Sequence, residues 1–249
     1  MTHPTTINSN KKCVRVTKKI YGDVVNKAQV GKTSGHDKDR PGFFIGDGGL
    51  ITGTLVNKGI IVGGGEGTGA LTLGEGANVK GGIFNRGVIF SNDGSGISLG
   101  YYDRHNVHHR DHPGHHYGHH HGGPAAAALT GDIVNSGLIY GDDYGIAARY
   151  GTMSGTLVNE AGGIILGGDV GVYISDSFTS WSGGIENAGL IAGDEAGIKI
   201  GGGYSHGAGV VFSGGIANYE GGAIVSKSGP SIAVGGASFS GGIYNDGLI

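Results

Sequence analysis

A single cysteine, Cys13, stands in a chain of 249 residues, so no intramolecular disulfide framework holds the fold together. Proline is scarce at 5 residues, and only 15% of residues are charged. Low charge, with Ile, Leu and Val recurring at fixed places, excludes intrinsic disorder. No apolar run reaches the roughly 18 residues of a membrane helix. The opening MTHPTTINSNKKCVRV lacks the apolar core of a signal peptide, so any export address is expected elsewhere or by another route. A formal net charge of -3 gives no general reason to expect nucleic acid or an anionic membrane as partner.

Glycine is what the chain has in excess. Its 57 residues are roughly threefold above the ordinary share of about 7%. They follow no strict every-third-residue period, which excludes a collagen helix. Instead they punctuate a repeat that reads TGTLVNKGII at 52–61, KGGIFNRGVI at 80–89 and TGDIVNSGLI at 130–139. It returns as SGTLVNEAGGII at 154–165, SGGIENAGLI at 182–191, SGGIANYEGGAI at 213–224 and SGGIYNDGLI at 240–249. A weaker first copy, YGDVVNKAQV, occupies 21–30.

Each copy carries a marker asparagine: Asn26, Asn57, Asn85, Asn135, Asn159, Asn187, Asn218 and Asn245. Steps between them are 31, 28, 50, 24, 28, 31 and 27 residues, the long one holding an insertion. A further apolar patch follows within most units, such as GISL at 96–99 and GIKI at 197–200. Strand-sized aliphatic runs between glycine-rich turns imply three short strands per repeat. The expected fold is therefore all-β: a single-stranded right-handed parallel β-helix, or β-solenoid, of about seven coils. Residues 1–30 read as a basic arm and cap strands, and residues 31–249 as the β-helix, with a His-rich loop insertion at 101–128. Propeller blades would need about 40 residues and four strands each. Coils spaced by about 4.8 Å put Asn on Asn, so that Asn57, Asn85, Asn135, Asn159, Asn187, Asn218 and Asn245 should form an amide ladder.

The pattern G-x-I-x-N-x-G-x-I-x-G-x-x-x-G-I at 131–146 and 183–198 resembles the passenger domains of bacterial autotransporters and related large β-helical surface adhesins. The resemblance spans Gly22 to Ile249. It implies an extracellular or cell-surface location and a structural or adhesive role, with host or cell-surface polymers as possible partners. The last copy stops after two of its strands, which leaves two expectations. Either the chain is a piece of a larger adhesin, or its open coil stacks head-to-tail on another copy into a filament.

Function should reside in departures from the repeat. The segment 105–123 holds nine of the twelve histidines. His105, His108, His109, Asp111, His112, His115, His116, His119, His120 and His121 are candidate ligands for zinc, copper or nickel, with a solvated loop as the alternative. Turns after the second apolar pair place Asp93, Asp143, Asp169 and Glu195 at equivalent positions, where they splay into water or share cations such as calcium. Basic residues 11–19 suit a solvated capping face or an anionic polymer. Ten aromatic residues, from Tyr101 to Tyr244 and including Trp181, are candidates for exposure. The rival reading is a polysaccharide-binding or polysaccharide-degrading β-helix, lyase or hydrolase. It needs carboxylates converging on one face beside fixed basic groups. The acids here lie in a turn ladder, and Arg86, Arg149 and Lys199 stand at different places in the repeat, so no catalytic residue and no required cofactor are assigned. For the His-rich segment, titration calorimetry with Zn²⁺ or Cu²⁺ should give heat that a 105–123 deletion abolishes; equal heat from both proteins would dismiss the site.

Overall fold

The computed structural model describes residues 4–32, 40–65, 67–102, 124–202 and 209–249. The His-rich candidates at 105–121 lie outside the described residues, as does Tyr204. Among those described there is no helix, and parallel sheets stack as a β-solenoid of about seven turns. A turn runs through Ile83–Asn85, Val88–Ser91, Ser95–Leu99 and Ala127–Leu129 before the next opens at Ile133–Asn135. Four sheets result: the asparagine sheet of nine strands, then, in chain order, a second of seven, a third of eight and a fourth of eight.

Each turn thus carries four strands rather than the three suggested by the repeat. The additional strand is only two or three residues long, as in Asn78–Val79 and Ser180–Trp181. Through the middle of the rod its inward residues change from level to level: Ile51, Val79, Leu129, Met153, Trp181, Phe212. Elsewhere like stacks on like. Leu55, Ile83, Ile133, Leu157 and Ile185 form one inner row, and Ile61, Ile89, Ile139, Ile165 and Ile191 another, all at most 1% exposed. Burying each such side chain contributes about 1.5–3 kcal/mol. Trp181 is fully buried rather than exposed, between Phe178 and Phe212, and its Nε1 donates to the Gly155 carbonyl at 3.1 Å.

Beside these rows runs the amide ladder. Every Nδ2 from Asn26 to Asn218 donates to the Oδ1 of the next asparagine at 2.8–2.9 Å. The same amides donate to carbonyls at the following corner, such as Asn85 to Leu138 at 3.0 Å. All seven asparagines from Asn26 to Asn218 are fully buried, and among the described residues no buried side-chain nitrogen or oxygen lacks a partner. Glycine two residues after the asparagine follows from the same closeness: a Cβ on Gly137 would strike the carbonyl of Gly87 one turn below. Gly184 meets a different demand, turning the chain into the asparagine sheet at φ 83.

The insertion leaves between the third and fourth sheets. Tyr101–Tyr102 pairs antiparallel with Pro124–Ala125 at its base, and the chain resumes in register, with Asn78 beside Ala128. Residues 5–30 already belong to the stack, because Thr5–Ile7 and Val14–Val16 pair with strands of the next turn. Asn135→Ala should lower stability by about 1–3 kcal/mol, because Asn159 Oδ1 loses its buried donor and Asn85 Nδ2 its acceptor. Asn245→Ala, at the exposed end, should cost less; equal shifts in urea midpoint would count against the ladder.

Candidate functional sites

The acidic turns join the second and third sheets. Backbone hydrogen bonds put Asp143, Asp169 and Glu195 directly above one another: the Asp169 amide donates to the Asp143 carbonyl and the Glu195 amide to the Asp169 carbonyl, both at 2.8 Å. Asp93 is not in that column. Its turn holds one more residue, and the Asp143 amide donates to Gly94 instead, at 3.0 Å.

Desolvation raises the pKa of Asp143 above the ordinary aspartate range; Arg149 opposes this and Asp169, Asp142 and Asp93 add to it. Asp169 is raised by desolvation and then by Glu195, Asp142 and Asp194, with Lys199 opposing. The expectation that these acids lack basic neighbours is corrected by the structure. Lys199 lies 3.5 Å from Glu195, and Lys227 lies 2.9 Å from Asp194. Arg149 stands 5.1 Å over the ring of Tyr144 and donates to Ser95 at 3.2 Å, reaching back one turn. Lys227 with Asp194 and Arg149 with Ser95 join neighbouring turns, which sequence spacing does not show, whereas Lys199 with Glu195 and Arg149 with Tyr144 lie within one turn. Among the described residues no three His, Cys, Asp or Glu side chains are grouped to hold a metal ion.

Aromatic residues stack along the outside as well as the inside. Tyr144 lies on Tyr173 with centroids 4.9 Å apart, and Phe90 on Tyr140 at 5.0 Å. Most of their ring faces are therefore spent on each other. Tyr219 and Tyr244 are more open, at 41% and 56% exposed.

The two ends differ in character. Lys11, Lys12, Arg15, Lys18 and Lys19 are exposed on the first turn. Arg15 lies 4.5 Å over the Phe44 ring and Lys19 4.4 Å over Tyr21. The last turn exposes aliphatic groups from the inner rows, Ile243 at 50% and Val234 at 43%, with Leu248 and Ile249 also open at 61% and 45%. Ile7 occupies the ladder position below Asn26, so no asparagine amide reaches Asn26 from that side. At the other end, Asn245 Nδ2 donates only to the Gly247 carbonyl, at 3.2 Å, among the described residues. Charge is graded along the chain too: residues 1–90 hold 12 Lys and Arg against 6 Asp and Glu, whereas residues 91–249 hold 5 against 14.

In comparisons with known proteins, the chain matches no family model, no curated protein and no solved structure. The repeat and its geometry establish a β-solenoid repeat protein, and the class stops there.

The raised carboxyls give a pH test. Folded Asp143 and Asp169 hold protons more tightly than in the unfolded chain, so their contribution is most favourable at low pH and is lost as pH rises through the raised values. Asp169→Asn should therefore raise the urea midpoint at pH 7, with the gain shrinking towards pH 4. A gain that grows on acidification would contradict the assignment.

Proposed function

We propose that this chain is a non-enzymatic, extracellular structural or adhesive β-solenoid whose last turn is covered in use by the first turn of another copy, so that rods grow head-to-tail. The observation that carries this reading is the exposure of inner-row side chains on the last turn. Ile243 and Val234 stand 50% and 43% exposed, whereas Ile216 and Ile200 one turn below are at most 2% exposed. An additional β-turn placed there restores both the backbone pairing and the apolar contact. The surface to be covered is the same whichever polypeptide supplies that turn.

A second copy suits it by charge. Its basic first turn would approach the acidic part of the rod, and strand Thr5–Ile7 would add to the asparagine sheet. Ile7 would then lie over Asn245, so the contact rests on backbone pairs and apolar rows while the amide ladder stops at the junction. Such a contact is heterologous and does not close, which yields filaments. The His-rich segment would add metal binding to them.

Electron microscopy and sedimentation velocity of purified protein test this. Wild type should lengthen with concentration, Ile243→Asp should shorten the rods, and Ile7→Asn should lengthen them by carrying the ladder across the junction. Monodisperse short rods at high concentration would sink the proposal.

A further inference from the structure

The outer face of the asparagine sheet is apolar over most of its height. Val25, Val56, Phe84, Val134, Val158 and Ala217 follow one another in register, each half-buried, and one charged residue, Glu186, interrupts them between Val158 and Ala217. The corner just beyond the ladder borders this strip with exposed charge. Going up the rod it reads Lys27, Lys58, Arg86, then uncharged Ser136, then Glu160, uncharged Ala188, Tyr219 followed by Glu220, and Asp246. Among the described residues none of Lys27, Lys58, Arg86, Glu160, Glu186 and Glu220 has an ion-pair partner in its own chain. The acidic half is also concave. The two-residue corner at Ala188 lies between longer corners at Glu160 and Tyr219, leaving a groove of about 380 Å³ lined by Val158, Glu160, Glu186, Ala188 and Tyr219.

We propose that this face is the interface of a side-by-side homodimer in which two rods run antiparallel about a two-fold axis through the level of Val134. The charge order selects the occupant and its direction. A two-fold axis along the strands lays each corner on its own counterpart upside down. Counting levels from Val134, Arg86 then meets Glu160 of a second copy, Lys58 meets the level of Glu186, and Lys27 meets that of Glu220. Basic side chains of one rod enter the acidic groove of the other, twice over, while the valine rows cover each other. A parallel pair, related by an axis along the rod, would carry each corner to the opposite edge of its partner's strip and form none of these pairs. Nine strands at about 4.8 Å give a strip roughly 40 Å tall. With a width of about 15 Å it offers roughly 600 Å² per partner, at the low end for specific interfaces. The contact is closed and lateral, independent of the end-to-end stacking above, and doubles the rod without lengthening it.

The test uses the full chain carrying Ile243→Asp, which removes end-to-end growth, and Cys13→Ser, which removes the native thiol. Sedimentation should show a concentration-dependent dimer. Arg86→Glu should weaken it roughly tenfold, and Glu160→Arg likewise. The double variant R86E/E160R should restore it, because both pairs then reverse together; failure to restore it would overturn the proposal, as would a monomer at every concentration. A short bismaleimide reports direction. Val134→Cys should link to itself, and Val25→Cys should link to Ala217→Cys in a mixture but not to itself, since its copies lie about 29 Å apart. Self-linking of Val25→Cys would mean parallel rods and would also overturn the proposal. Circular dichroism of each variant confirms that the fold is retained.

Discussion

Axial repetition at the spacing of a β-sheet is the constraint on which everything else in this molecule depends. Once turns stack at about 4.8 Å, each side chain meets its own equivalent above and below. Only residue types that tolerate themselves at that distance can repeat. Aliphatic side chains do so by contact, and asparagine does so because one amide both donates and accepts along the same line. That reciprocity lets a buried polar group run through the structure from Asn26 to Asn218 with every link made. Carboxylates fail the same test. Stacked Asp143 and Asp169 sit on the outside, desolvated and mutually repelled, and the nearby cations Arg149 and Lys199 only partly offset this.

Much of the fold was legible because selection for stacking writes the same residue at the same place. Asn135, Ile133, Ile139 and Ile146 repeat their neighbours above and below almost unchanged, and three of the four sheets follow from them. The fourth was hidden for an equally physical reason. Through the middle of the rod its inward position is filled by Val79, Leu129, Met153, Trp181 and Phe212, which pack the interior but present no repeated letter there. A hydrophobic spacing count sees Trp181 as an isolated aromatic, and only the backbone path puts it inside.

Legibility of the candidate sites divides in the same way. Asp143, Asp169 and Glu195 could be aligned from the chain, whereas the single extra residue that removes Asp93 from their column could not. Contacts between turns, such as Lys227 with Asp194, are 33 residues apart in sequence and follow no local motif. The graded charge escaped notice for a simpler reason: a net value of -3 averages a basic beginning with an acidic remainder.

The paired base of the His-rich insertion has a consequence for how such a rod can change over time. Asn85 and Asn135 are separated by 50 residues and yet are joined by one hydrogen bond of 2.8 Å, as are asparagines 28 residues apart. By loop-closure entropy, the longer excursion costs only about 0.5 kcal/mol more than the shorter one. Because each turn touches little beyond its neighbours, that small penalty stays local. This corner is therefore a place where new sequence enters at almost no thermodynamic cost, and where a binding peptide could be grafted while the scaffold beneath it keeps its register.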